Sequence, residues 1–255
     1  MNFKQYFAII VFKTKAELKA ERQRTYLGFI WWILEPLMFL AVFYIVFVQL
    51  KLSNDEHFVQ FLLIGLILWQ WFKSSISNSS AVIIYQTNLL RQVRIPAWIF
   101  PVIKVSANTV KFAIVFTVLI IFLWVSGFVP SLNYLYMLEI ILIQFLLING
   151  FVLCLAAIIP FIPDIHVVVD NLLLGVFFLS GIFFPLSIVP EPFRGYLYWN
   201  PIVGLIENSR EVLIHHNPPD QLELLYVAVI ALVLMLVGLG LFKKFQNSYA
   251  KLAES

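Results

Sequence analysis

The chain has 255 residues, of which 62% are hydrophobic types and only 12% are charged, with a formal charge of +3 and a mean hydropathy of +0.92. An average soluble domain is about 45–50% apolar and about 25% charged, so a water-soluble fold, a disordered chain and a collagen-like repeat are excluded. The charge is too weak for a phosphate-binding surface, which excludes nucleic acid as a partner and leaves one polytopic membrane domain over residues 1–255.

The leader, residues 1–26, sets Phe3, Phe7, Ile10, Thr14 and Leu18 at helical spacing and Lys15, Lys19 and Arg22 on another face. This pattern predicts an amphipathic helix in the membrane interface, its cations beside the anionic headgroups of membrane lipids. A solvated tail with chance periodicity is the alternative. The apolar stretch Tyr6–Phe12 is too short for a cleavable signal and runs into Lys13 and Lys15 without a small-residue cleavage site.

A membrane helix needs about 20 mostly apolar residues, and about 17 suffice. Six stretches qualify: Phe29–Leu50, Phe58–Ser80, Val105–Val125, Leu135–Ile159, Val167–Pro185 and Leu222–Phe242. The predicted fold is an all-α polytopic membrane protein with six transmembrane helices. Lys4, Lys13, Lys15, Lys19, Arg22 and Arg24 of the leader share one side with Arg91, Arg94 and Lys104 of the 86–104 loop and with Lys243, Lys244 and Lys251 of the tail. The opposite side holds Lys51, Arg194 and Arg210. Cationic loops stay in the cytoplasm, so both termini are expected there. Lys73 and Lys111 fall inside spans near their ends and are expected to snorkel.

Two connections are unusual. In the segment 86–98, Asn88 can cap a short helix through Leu89, Leu90, Arg91, Gln92, Val93 and Arg94, and Ile95-Pro96 ends it. Such a helix either docks a soluble partner or lies on lipid, anchored by its two arginines. The outer segment 186–216 stays apolar and aromatic although Pro190, Pro192 and Pro201 interrupt it. It reads as two short helices broken at Asn200-Pro201 that dip back into the outer leaflet, since irregular backbone at that depth survives only packed on protein or facing a water-filled cavity. No internal repeat and no GxxxG motif is present.

Chemistry-bearing residues are sparse. The Walker phosphate loop and the dinucleotide fingerprint are absent, so ATP would have to be used by a partner. Cys154, the single cysteine, sits in the apolar run 151–159 and reads as a buried thiol. His215 and His216 point about 100° apart on a helix, a poor metal site, and with His57 and His166 they read as polar loop residues. No metal is expected.

Glu35, one turn into the first span and just before Pro36, costs about 2.5–3.5 kcal/mol there unless it is paired, protonated or facing water. A proton relay lacks a second mid-membrane acid: Glu139 starts the fourth span, and Asp164 and Asp170 flank a cytoplasmic turn. Glu191 with Arg194 and Glu207 with Arg210 are spaced i, i+3. They are either surface pairs of small value or, if buried, clamps on the outer elements. Trp31, Trp32, Trp69, Trp71, Trp98 and Trp199 lie near span ends, as an interfacial belt or as walls for sugars, whose C–H faces pack on aromatic rings.

Leu27-Gly28-Phe29-Ile30-Trp31-Trp32-Ile33-Leu34-Glu35-Pro36 resembles the L-G-x-x-W-x-x-x-x-P start of span one in type-2 ABC exporter permeases, and its Ile-Leu-Glu-Pro ending resembles the capsular polysaccharide branch. Ser74-Ser75-Ile76-Ser77-Asn78, followed by Asn88-Leu89-Leu90 and Ile95-Pro96, is similar to that family's second span and coupling helix. Phe184-Pro185-Leu186, then Trp199-Asn200-Pro201, Glu207 and Ser209-Arg210-Glu211, resembles its outer re-entrant region. The resemblance implies a homodimer with two copies of a cytoplasmic ABC ATPase that binds ATP and magnesium, in a bacterial inner membrane. It implies a lipid-linked polysaccharide, capsule or O-antigen, threaded along the dimer interface, with or without an outer-membrane conduit.

The roles expected on this reading are ATPase coupling for Asn88, Leu90, Arg91, Arg94 and Pro96, polymer entrance and channel for Trp31, Trp32, Glu35 and Trp69, and exit for Phe184, Trp199, Asn200, Glu207 and Arg210. The rival readings are an exporter of a drug, a small lipid or teichoic acid, and a membrane enzyme transferring glycans or acyl groups with Glu191, Glu207 and Glu211 as its acids.

Overall fold

A computed structural model of the chain describes residues 3–24, 28, 30–46, 57–86 and 95–249. Their helices, in order, are α1 (Phe3–Arg24), α2 (Ile30–Tyr44), α3 (Phe58–Ser80), α4 (Val82–Tyr85), α5 (Ile99–Val125), α6 (Tyr136–Ile158), α7 (Asp164–Phe178), α8 (Glu191–Leu197), α9 (Pro201–Arg210) and α10 (Gln221–Tyr249). The described residues contain no strand.

Four helical segments are long and apolar enough to cross a membrane: Phe58–Ser80, Ile99–Val125, Leu132–Ile158 and Gln221–Gln246. Of the other two expected spans, α7 is a helix of 15 residues, and α2 is helical over Ile30–Tyr44 within the described part of the first. At 1.5 Å per residue such a helix reaches about 22 Å, against a hydrocarbon core of about 30 Å. The α2 helix loosens into a wider π turn at residues 45–46. The α7 helix starts at Asp164, three residues before the expected Val167, and stops at Phe178 rather than Pro185. Gly181 takes a left-handed φ of 62° and Pro185 is extended, so the helix cannot run on. Conversely, α5 begins six residues earlier than the expected Val105. Its Pro101 sits in the first turn, where a missing N–H costs nothing, and the helix takes in Lys104.

The core lies around α3. Leu62, Ile64 and Leu68 are fully buried, and α3 packs on α2, α5, α6, α7 and α9. The most extensive helix–helix contact is that of α6 with α10. A Cβ on Gly150 would lie 2.7 Å from the Leu234 Cβ, and one on Gly238 would lie 2.6 Å from the Leu153 Cβ, so only glycine admits this approach. The outward face of α10 stays apolar and exposed at Leu225, Val229, Leu232 and Leu236, which suits a lipid environment. At its far end, the Tyr249 hydroxyl donates to the Ala157 carbonyl at 3.0 Å. Burial pushes that phenol up to about 12, keeping it neutral.

The leader is helical as expected, and it also packs on α5. Thr14 is buried, Ile10 and Leu18 are half-buried, and Phe7 and Phe12 remain exposed. Glu17 pairs with Lys104, Glu21 with Lys111 at 2.6 Å, and the Tyr6 ring meets Trp98 edge-on at 5.9 Å. Lys111 is therefore neutralised by a carboxylate of α1, where the sequence suggested a snorkelling side chain.

Candidate functional site

The outer segment contains the expected helix break. Asn200 caps α9: its Oδ1 accepts from the Ile202 amide at 3.1 Å, and Pro201 fills the first helical position, where no N–H is needed. The Asn200 Nδ2 donates to the Ser180 Oγ at 3.0 Å, tying the break to the end of α7.

Arg210 closes the arrangement. Only 2% exposed, it donates to the carbonyls of Gly181 (2.9 Å), Ile182 (2.8 Å) and Phe61 (3.2 Å) and to the Glu207 carboxylate (2.6 Å). Its guanidinium carbon lies 3.3 Å from the Phe61 ring centroid. The unwinding after Phe178 is what frees the carbonyls of residues 181 and 182, and the planar fork of arginine matches several acceptors at once. Gly65 makes room, since a Cβ there would lie 2.8 Å from the Arg210 Nη2. The i, i+3 pair of Glu207 with Arg210 is thus the buried clamp of the two alternatives. Glu191 with Arg194 is the other kind: 3.9 Å apart, with Glu191 91% exposed. Arg194 instead donates to the carbonyls of Ser187 and Val189.

Around this clamp, Trp199 is 72% exposed with Tyr196 edge-on at 5.6 Å, and Phe184 is half-buried against Phe183 at 5.5 Å. Asn208 donates to Glu223 at 2.8 Å. The Tyr198 phenol, in the turn before α9, is held above its ordinary range by burial and then by the nearby Glu223 and Glu207 carboxylates.

At the opposite end, Trp32, Glu35 and Pro36 of α2 line a crevice of about 150 Å³ with Trp71 and Asn78 of α3 and Asn108 and Lys111 of α5. The crevice shares Glu21, Asn78, Asn108 and Lys111 with the wall of a polar vestibule of about 620 Å³ beside α1. Through Trp32 and Glu35 it adjoins a groove of about 570 Å³ that runs along α2 past Trp31, Met38, Phe39 and Val42. Trp31, Trp32 and Glu35 are therefore brought together. Trp69 stands apart, 3% exposed and 5.7 Å from the rings of Phe72 and Phe177. Of the expected coupling residues, Asn88, Leu90, Arg91 and Arg94 lie outside the described residues, and Pro96 is half-buried just before α5.

The structure joins residues that the sequence pattern had not connected. Ser77 of α3 donates to Asp170 of α7 at 2.7 Å, His166 and Asp170 approach to 3.8 Å, and Ser80 meets His166 at 3.4 Å. His166 is helical rather than a loop residue, because α7 starts before its apolar run does. Asn108 donates to the Ser74 carbonyl at 3.3 Å. For the leader contacts the sequence shows spacing alone: acids at 17 and 21 are one turn apart, and lysines at 104 and 111 are two turns apart. Among the described residues no group of three or more His, Cys, Asp or Glu is placed to hold a metal ion.

Residues 10–214 match the family described as ABC-2 type transporter. The chain is 27% identical to the O-antigen export system permease protein RfbA of Myxococcus xanthus over 249 residues, covering 97% of this chain and 96% of that protein. It is 30% identical to the polysialic acid transport protein KpsM of Escherichia coli over 231 residues, 89% of each chain. To the capsule polysaccharide export inner-membrane protein CtrC of Neisseria meningitidis it is 25% identical over 237 residues, 88% of this chain and 86% of that one.

Proposed function

The chain belongs to the ABC-2 type transporter family, and from that premise we propose that it is the membrane permease subunit of an ATP-driven exporter of lipid-linked polysaccharide. The observation that carries this reading is the near end-to-end match to permeases named for O-antigen and capsule export, in a chain with no phosphate loop of its own. ATP and magnesium are then bound by a separate cytoplasmic ATPase, two copies of which serve a homodimer of this chain. The dimer lies in a bacterial inner membrane with both termini in the cytoplasm, six spans per protomer, and α2 and α7 completing the count.

In this reading ATP closes the two ATPases, and their motion enters through the 86–98 segment, where Asn88, Leu90, Arg91, Arg94 and Pro96 make the contact. The lipid-linked end of the polymer is admitted past Trp31, Trp32 and Glu35. It leaves beside the outer helices, whose positions relative to α3 and α7 are fastened by Asn200, Glu207 and Arg210. Clamping at the outer end lets the cytoplasmic ends shift without loosening the exit. Of the acids of the enzyme reading, Glu207 is engaged by Arg210, Glu211 accepts from Asn217 and Glu191 stands in solvent, which favours the transport reading.

The test is a gentle-detergent pull-down of the chain from its host, assayed for bound ATPase and repeated with Arg91 and Arg94 reversed to glutamate. A stoichiometric ATPase that is lost on reversal supports the reading. Deletion should leave polysaccharide inside the cell and none on its surface. A chain that purifies alone from a host whose surface polymer survives deletion would overturn it.

A further inference from the structure

The two halves of α7 are held very differently. Its buried residues, Leu173 and Phe177, both lie in the outer half, where the Phe177 ring meets those of Trp69 at 5.7 Å and Phe43 at 6.0 Å. Just beyond, Asn200 and Arg210 fasten Ser180 and the carbonyls of Gly181 and Ile182. From Asp164 to Leu172 no residue is buried. Among the described residues this inner half makes two polar contacts to other elements, both with serines of α3: Ser77 donates to Asp170 at 2.7 Å, and Ser80 meets His166 at 3.4 Å. Clefts flank it. One of about 490 Å³ separates α7 from Phe151 and Leu155 of α6 and from Ile202 of α9, and a narrow one of about 60 Å³ runs between Leu174 of α7 and Gln70 and Lys73 of α3.

We infer that the inner half of α7 is a hinged strap: Ser77 and Ser80 latch it to α3 through Asp170 and His166, and on release it swings about Gly175 while the outer half stays fastened. The hinge is a property of the single chain and stands without the exporter reading. Only its use, opening a seam between α3 and α7, rests on that reading.

Exposure decides which end lets go. The Asp170 side chain is 44% exposed, so water competes with Ser77 for the carboxylate and salt screens it. The Arg210 contacts are enclosed, where no water replaces a lost partner. Asp170 also approaches the His166 Nε2 to 3.8 Å, on the side of the ring away from Ser80. One carboxylate thus steadies both contacts, and its release frees both serines.

Gly175 marks the border between the halves. A Cβ there would meet nothing within 4 Å, so packing within the chain does not require glycine, and what glycine adds in mid-helix is backbone freedom. The link from α6 has length to give. Phe161 and Ile162 are folded back by turn hydrogen bonds to Ile158 and Ile159, and an unwound chain extends to about 3.3–3.6 Å per residue. The wide cleft leaves room for the swing.

The experiment measures nitroxide distances in the full chain with Cys154→Ser, diluted with cysteine-free chain in lipid nanodiscs so that labelled protomers are isolated. Labels at Tyr85→Cys and Val167→Cys, both exposed, report on the inner half, and labels at Leu179→Cys and Leu222→Cys on the outer. Ser77→Asp sets a like charge against Asp170 and is expected to raise the population of a longer inner distance about five-fold or more, with the outer distance unchanged. Ser77→Lys offers an opposite charge and should keep the inner distance short. Gly175→Ala added to Ser77→Asp should lower the open population again.

Inner distances that ignore the charge at position 77 would overturn the latch, and an open population indifferent to Gly175→Ala would overturn the pivot. Equal broadening of inner and outer pairs would also overturn the hinge, since that is a loosened fold. The readout is independent of export. A charge-dependent inner distance in a host whose surface polysaccharide survives deletion would sink the exporter reading and keep the hinge. Fixed inner distances alongside lost export would do the reverse.

Discussion

Arg210 and Arg194 carry the same sequence signal, an acid three residues earlier, and end in different environments. Arg194 stays near the surface and contributes little through its acid. Arg210 is enclosed, and its partners are backbone carbonyls of residues 28, 29 and 149 positions away. Carbonyls have no signature in a sequence, so the i, i+3 spacing could announce a pair but not its burial. Replacing Arg210 by Met leaves Glu207 and three carbonyls without their donor, and breaking a buried charge pair in this way costs about 3–5 kcal/mol. Thermal unfolding in detergent should show that loss for Arg210→Met and a smaller one for Arg210→Lys, which keeps the charge without the fork. A native-like melt for Arg210→Met would remove the clamp from the account.

At the scale of elements, the leader is more than a float on the membrane surface. Glu17 and Glu21 of α1 meet Lys104 and Lys111 of α5, and these contacts place α1 beside the polar vestibule. Each pair is partly exposed, so its contribution is at most about 1 kcal/mol and falls as salt rises. Single reversals, Glu21→Lys or Lys111→Glu, should detach α1 enough to speed protease cleavage of the leader, and the double swap should restore resistance. If the swap fails to restore it, the pairing is incidental. The spacing of the four residues was readable; their meeting was not, because 83 or more residues separate them in the chain. The close approach of α6 and α10 was not legible either. Gly150 and Gly238 provide the small-residue contact one from each helix, which no search within a single helix can find.

At the scale of the molecule, long apolar runs were the most legible feature, because a bilayer core demands them. Four of the expected six runs are helices of spanning length, and their boundaries follow the apolar pattern except where Pro101 permits an earlier start and where α10 runs past Phe242 to Tyr249. The α7 helix was less legible: it stops at Phe178, ahead of the left-handed Gly181, so apolar sequence outlasts helix there. Charge around the runs predicts a topology that fusions can test. Reporters active only in the cytoplasm should work at both termini, and alkaline phosphatase at neither; one terminus of each kind would force an odd number of crossings.

The clamp at Arg210 has a further consequence, in time rather than in space. Synthesis runs from α1 to α10, so Arg210 is made after Phe61, Gly181 and Ile182, whose carbonyls it occupies. A chain released by the ribosome before residue 210 would hold α3 and α7 with their outer ends unfastened. The arginine therefore fastens the outer ends of α3 and α7 only after both have been made.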